Sequence, residues 1–153
     1  YRLVMEGTPC WTNFRELWKL FYDEGAVCVA STYTKVGGLY DMGFRHDPSR
    51  PLATLAEYAS GVYGNLGLPV RINLLEKYIK EYKADGFVVN SIKSCNSYSA
   101  GQLLILQELE KRTGLAGGFI ESDLVDSRYF SHANIKTRLE SYFQMINEKS
   151  RRR

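Results

Sequence analysis

The chain has 153 residues, 44% of them hydrophobic, and a formal net charge of +3, which suits one domain with a sizeable core and is too mild to argue for DNA or RNA as a partner. No apolar run reaches the length of a membrane span, and no charged start leads through an apolar stretch to a small-residue cleavage site. The cysteines at 10, 28 and 95 include no close-spaced pair, which argues against a disulfide framework or a CxxC zinc site and for a reducing compartment, most simply the cytoplasm.

Apolar runs alternate with helical patterns in the order of a parallel sheet. "YRLVMEG" reads as a first strand. Because Tyr1 stands only a few residues ahead of it, the chain is expected to be a domain of a longer subunit, with an N-terminal portion preceding it. "TNFRELWKLFYDEG" reads as a helix that presents Phe14, Leu17, Trp18 and Phe21 on one face and stops at Gly25. "AVCVAS" reads as a second, fully buried strand. Residues 35–69 interrupt the rhythm: "KVGGLYDMGFRHDPSRP" is expected to be a loop, and "LATLAEYASGVYGNLG" a helix inserted over one edge. The alternation then resumes. "VRINLLEKYIKEYKAD" is a helix with Ile72, Leu75 and Ile79 inward, "GFVVNS" a third strand, "SAGQLLILQELEKRTG" a helix closed by Gly114, and "GGFIESD" a fourth strand. "SHANIKTRLESYFQMINEKS" is an amphipathic last helix capped by Ser131. Residues 1–150 thus make one α/β domain, and "RRR", 151–153, an exposed basic tail.

The expected fold is α/β, an open four-stranded parallel sheet of flavodoxin or Rossmann type with helices on both faces and a helical insertion after the second strand. In such sheets ligands sit beyond the carboxyl ends of the strands, where the strand order reverses. An order 2-1-3-4, which right-handed crossovers allow, sets that point between strands one and three. The loops there are "GTPCW" and "SIKSCNSYS", so Cys10 and Cys95 would face one crevice.

Each candidate has a plain reading beside the functional one. Cys28, among Ala26, Val27, Val29 and Ala30, reads as a small core hydrophobe. Cys10 stands near a helix start, where the helix dipole favours a thiolate, but Pro9 and Trp11 equally suit a packed turn. Cys95 lies in a Ser- and Asn-rich loop before a helix N-terminus, where amides and hydroxyls favour a thiolate acting as nucleophile or as iron or zinc ligand. "ESDLVD" reads as a cap and turn, with Glu121 and Asp123 also pointing toward the crevice mouth. His46 and His132 read as surface or capping residues. Tyr33, Tyr40, Tyr58, Tyr63 and Tyr98 read as pocket lining or as core and interface. A GxGxxG fingerprint, a GxxxxGK[ST] loop and a GxSxG elbow are all missing, which removes the usual dinucleotide, nucleoside-triphosphate and hydrolase readings.

Residues 84–146 resemble the C-terminal domain of the benzoyl-CoA reductase and 2-hydroxyacyl-CoA dehydratase family. The shared pattern is a strand, a cysteine loop with Cys95 and Ser97 to Ser99, a helix, a strand ending in Glu121 and Asp123, a turn with Asp126 and Arg128, and a last helix carrying Arg138. The upstream "EGTPCWTNFRELWKLFYDEGAVCVASTYT" fits the family's first strand–helix–strand unit. "SCNSYSAGQ" and "TYTKVGGLYD" lie nearer the reductase branch, and "STYT" replaces a cysteine-bearing segment of the dehydratases. The resemblance implies a cytoplasmic, oxygen-sensitive enzyme of anaerobic metabolism that delivers low-potential electrons to an acyl-CoA thioester. It implies a [4Fe–4S] cluster held by three cysteines of each full subunit, a sister substrate-binding subunit, and an ATP-hydrolysing iron–sulfur activator. Carried onto this chain, Cys95 is the cluster ligand and Cys10 the second choice. Ser94, Asn96, Ser97, Ser99, Gln102, Glu121 and Asp123 form the surroundings of cluster or substrate, and the helix beginning near Ala100 stabilises negative charge. The alternatives are a dehydratase subunit and a non-catalytic flavodoxin-like scaffold.

Overall fold

A computed structural model describes residues 1–34 and 39–151; positions 35–38 of the expected loop and 152–153 of the expected tail lie outside the described residues. Four strands, β1 (Arg2–Glu6), β2 (Val27–Ser31), β3 (Gly86–Ile92) and β4 (Ala116–Ser122), form a parallel sheet in the order β2-β1-β3-β4. Among the described residues five α-helices accompany them: α1 (Phe14–Asp23), α2 (Pro51–Ser60), α3 (Leu68–Glu81), α4 (Gln102–Thr113) and α5 (His132–Arg151). The strand order is the one that puts the reversal between β1 and β3, as the sequence argument required.

Side-chain alternation along the strands sorts the core into two layers. Leu3 and Met5 of β1, Val88 of β3 and Ile120 of β4 pack with Leu17 and Phe21 of α1 and Leu139 and Phe143 of α5. Val4, Phe87 and Val89 point the other way, against Ile72, Leu75 and Ile79 of α3 and Ile105 and Leu109 of α4. The inward triplet expected of α3 is therefore correct, and helices cover both faces.

Four expectations shift. β2 is not fully buried, because the strand order leaves it at the sheet edge: Val27 is 56% exposed, and Cys28 and Val29 are half-buried. An apolar strand at an edge is indistinguishable from a central one by composition alone. In α1 the buried side chains are Leu17, Leu20 and Phe21, while Phe14 is 39% exposed and Trp18 half-buried. The helix's apolar arc is wider than its core contact, and the surplus lines a groove beside β2. The segment after 51 is not one helix. α2 stops at Gly61, where an added Cβ would sit 2.5 Å from the Leu39 side chain, and a separate 3-10 turn follows at Tyr63–Asn65. Arg151 closes α5 rather than opening a tail. No described helix is long and apolar enough to cross a membrane.

Candidate functional site

The loops leaving β1 and β3 part toward opposite faces of the sheet. The β1 loop crosses over the end of β3: Gly7 takes φ +105°, and a Cβ there would lie 2.3 Å from the Asn90 carbonyl oxygen. Asn90, wholly buried, donates from Nδ2 to the Thr8 carbonyl (2.9 Å) and accepts at Oδ1 from the Ser122 hydroxyl (2.9 Å). Farther on, the Trp11 amide donates to the Leu124 carbonyl (3.1 Å). Cys10, between these ties, is fully buried in the α1/α5 layer, its Sγ 3.5 Å from the Thr12 hydroxyl.

Cys95 is half-buried, in a loop fastened to the α3/α4 layer. Its amide donates to the Ile92 carbonyl and its carbonyl accepts from the Tyr98 amide, both at 3.1 Å, so the thiol rides on a tight turn. Asn96–Tyr98 is one 3-10 turn, and α4 begins at Gln102 after Gly101 at φ +82°, about two residues later than the sequence pattern suggests. Asn96 and Ser97 are exposed and Ser99 is half-buried.

Asp123 holds the near side of this loop. It is buried, and its Oδ2 accepts from the Ser94 amide (3.0 Å) while Oδ1 accepts from the Val125 and Asp126 amides (3.1 Å each). The Ser94 side chain first, and then these amides, hold its carboxyl down to about 2 against the opposing effect of burial. Glu121 accepts from Arg138 at 3.3 Å, and Asp126 takes Arg128 through both carboxylate oxygens. Asp123 and Asp126 thus brace the loop and turn, while Glu121 ties β4 to α5.

The far side rests on residues that sequence reasoning passed over. Glu6, at the end of β1, and Arg71, on α3, are 1% and 3% exposed and form a 2.5 Å ion pair. Glu6 also accepts from the Thr32 hydroxyl (2.7 Å) and from Gln102 Nε2 (3.2 Å). Arg71 reaches with its other nitrogen, Nη1, to the Ser97 carbonyl (2.9 Å), and its guanidinium lies 4.8 Å from the Tyr63 ring centre and 5.5 Å from that of Tyr98. Burial opposes the Arg71 charge, but Glu6 and Tyr63 outweigh it and raise the pKa; burial and then Glu6 push both Tyr63 and Tyr98 up, so the phenols stay protonated. Gln102, fully buried, donates to the Tyr98 carbonyl (3.2 Å) as well as to Glu6, which makes it a strut beneath the loop. The signal for this cluster was present: Arg71 falls on the inward face of α3 with Leu75 and Tyr78, where an unpaired cation would be costly.

The five tyrosines divide among three places. Tyr63 and Tyr98 stack on Arg71, Tyr33 meets Trp11, and Tyr40 and Tyr58 join Phe44 and His46 in a surface cluster. Beside β2, Trp11, Phe14, Trp18, Tyr22 and Val27 line an apolar groove of about 750 Å³. Among the described residues no three Cys, His, Asp or Glu side chains group to hold a metal ion. A cubane needs three or four protein thiolates. This chain offers one half-exposed thiol in a structured loop, which fits a contributor to a cluster and not its sole holder.

The family model for the 2-hydroxyglutaryl-CoA dehydratase D-component matches residues 1–146. A benzoyl-CoA reductase subunit of Thauera aromatica is 71% identical over 149 residues, 97% of this chain and 34% of that protein. The (R)-2-hydroxyisocaproyl-CoA dehydratase alpha subunit of Clostridioides difficile is 25% identical over 152 residues, 99% of this chain and 36% of its own length. The (R)-phenyllactyl-CoA dehydratase alpha subunit of Clostridium sporogenes is 22% identical over 145 residues, 95% of this chain and 34% of its own length. The chain spans about a third of the length of these relatives.

Proposed function

The chain belongs to the 2-hydroxyglutaryl-CoA dehydratase D-component family, and on that premise we propose that it is the C-terminal α/β domain of the acyl-CoA-binding, cluster-bearing subunit of an ATP-dependent aromatic acyl-CoA reductase. The observation that carries the reductase reading is the gap between 71% identity to a benzoyl-CoA reductase subunit and 22–25% to dehydratase alpha subunits. "STYT", residues 31–34, after β2 points the same way.

Cys95 is the ligand this domain contributes to a [4Fe–4S] cluster completed by thiolates from the rest of the subunit. Its half exposure and its loop of hydroxyls and amides support that role; Cys10, with no exposed surface, is less suited. Such a cluster supplies low-potential electrons to an acyl-CoA thioester when bound. The residues of this chain act around it: Asn96 and Ser97 present polar groups at the exposed rim, Asp123 fixes the Ser94 amide, and α4 begins directly after the loop with no side-chain cap. A sister substrate-binding subunit and an ATP-hydrolysing iron–sulfur activator complete the assembly, in the cytoplasm of an anaerobically growing cell.

The dehydratase reading remains a second one because the family model carries that activity in its name. Anaerobically prepared full subunit decides the ligand point, and the complete complex with its sister and activator subunits decides the activity. Cys95→Ser is expected to lower iron per subunit and bleach the broad blue-region absorbance, and full iron retention refutes the ligand assignment. Turnover of an aromatic acyl-CoA with reductant and ATP, without dehydration of a 2-hydroxyacyl-CoA, is the expected activity; the reverse result makes the protein a dehydratase subunit.

A further inference from the structure

The buried Glu6–Arg71 pair occupies the point where the sheet order reverses. Burying an ion pair is seldom the most stabilising choice; well-packed hydrophobic residues of similar volume do as well or better. A pair retained under these conditions calls for a role in geometry, and its bonds define one.

We propose that Arg71, oriented by Glu6, is a positioning residue that sets where the Cys95 thiol is presented. Arg71 grips Glu6 with one nitrogen and the Ser97 carbonyl with the other, and it supports the Tyr98 ring. Ser97 and Tyr98 form the turn whose Tyr98 amide is bonded to the Cys95 carbonyl, so the guanidinium is one link from the cysteine's own peptide unit. Gln102 repeats the connection by bonding both Glu6 and the Tyr98 carbonyl. Thr32 donates to the free oxygen of Glu6 and accepts from the Gly7 amide, which brings the ends of β1 and β2 into the same network. With Asp123 holding Ser94, the turn is pinned on both sides of the thiol. Arg is required rather than Lys because two directed bonds leave one planar group toward different acceptors.

The role of Arg71 as a cluster-positioning residue rests on the ligand reading of Cys95, whereas its hold on the loop does not, so the test separates them. The full subunit is prepared as parent, Arg71→Met, Arg71→Lys, Glu6→Gln and Cys95→Ser. In cluster-free protein, iodoacetamide labelling is followed at each cysteine by mass spectrometry. Arg71→Met is expected to raise the Cys95 rate roughly fivefold or more, the scale of one lost hydrogen bond in a local opening equilibrium, with Cys10 and Cys28 unchanged. Arg71→Lys keeps the charge beside Glu6 but loses the second bond, so the thermal midpoint recovers toward the parent while Cys95 labelling stays fast; if Arg71→Met does not fold, this variant decides. Glu6→Gln is expected to follow Arg71→Met in direction. Iron retained after reconstitution, and the line shape of the reduced cluster's electron paramagnetic resonance, should change in the Arg71 variants. Cys95 labelling within twofold of the parent in Arg71→Lys overturns the positioning role and leaves the pair purely structural. Iron retained in Cys95→Ser sinks the ligand reading alone, since the labelling does not depend on a cluster.

Discussion

Replacing Gly7 by alanine separates backbone strain from collision at the point where the β1 loop crosses β3. Gly7 has φ +105°, well beyond the left-handed helical region, and a Cβ there would stand 2.3 Å from the Asn90 carbonyl oxygen, under the 3.0 Å floor real Cβ atoms observe. Residues forced into such a region cost of order 1–3 kcal/mol by themselves. The obstructing atom is backbone of the β3–β4 ladder near the end of β3, and Asn90's own side chain is bonded to Thr8 and Ser122, so relief requires moving both loop and strand. A total near 3 kcal/mol or more is expected, equivalent to a fall of roughly 6–12 °C in thermal midpoint for a domain this size. Gly25→Ala is the matched control: φ is +68° and nothing lies within 4 Å of the added Cβ, which leaves only the left-handed penalty of about 1–2 kcal/mol. Urea denaturation of the two variants beside the parent, followed by circular dichroism, measures both. If Gly7→Ala costs no more than Gly25→Ala, the loop does not cross β3 as described, and the burial of Cys10 beneath it fails too.

Three further outcomes follow from other parts of the molecule. Asp123 has a folded carboxyl at about 2, below its ordinary value near 3.9; its stabilising contribution is therefore full above that value and is lost as pH falls toward 2, and Asp123→Asn should flatten the acid limb of a stability–pH profile over that window. The same variant should raise hydrogen exchange at the Ser94 amide. Leu17→Ala should cost about 2–5 kcal/mol as a core deletion and Phe14→Ser under about 1 kcal/mol, because Leu17 is fully buried and Phe14 is 39% exposed; equal costs would mean that α1 is rotated from the orientation given. Native alkylation should label Cys95 first, then Cys28, whose thiol burial pushes up, and leave Cys10 untouched until unfolding; early labelling of Cys10 would contradict its position in the α1/α5 layer.

The fold was legible where local pattern and burial coincide. β3 is buried at every position and α3 repeats its apolar residues at helical spacing, so both were readable without partners. β2 and α1 were legible as elements and misjudged in orientation, because Val27, Phe14 and Trp18 are as apolar as core residues while lining a groove at the sheet edge. Hydrophobicity records that a surface avoids water, not which surface covers it. The sequence pattern runs on through Gly61 because the close approach of the Leu39 side chain to this glycine is a tertiary contact that no run of sequence contains.

The site was legible as a cysteine loop and illegible as a mechanism for holding it. Cys95 and Asp123 stand out by local chemistry, and the strand reversal follows from sequence only on an assumed order, whereas the side chains that fix the loop lie 65 positions apart, in Glu6 and Arg71, and meet only through the sheet order. Topology alone suggested one crevice for Cys10 and Cys95, and strand alternation shows why their supports differ. Leu3 and Met5 carry the Cys10 loop's face toward α1 and α5, while Val4 and Glu6 face α3 and α4, where the Cys95 loop is fastened. The turn that carries Cys95 is tied to the second layer by a planar cation at the Ser97 carbonyl, and the neighbouring Ser94 amide rests on a buried carboxylate, so the peptide that bears the thiol is held on both sides. On the proposed ligand role of Cys95, the organising cost of iron binding falls in the folding of this domain, and iron retained by the complete subunit is then expected to drop in Arg71→Lys, which loses the bond to the Ser97 carbonyl.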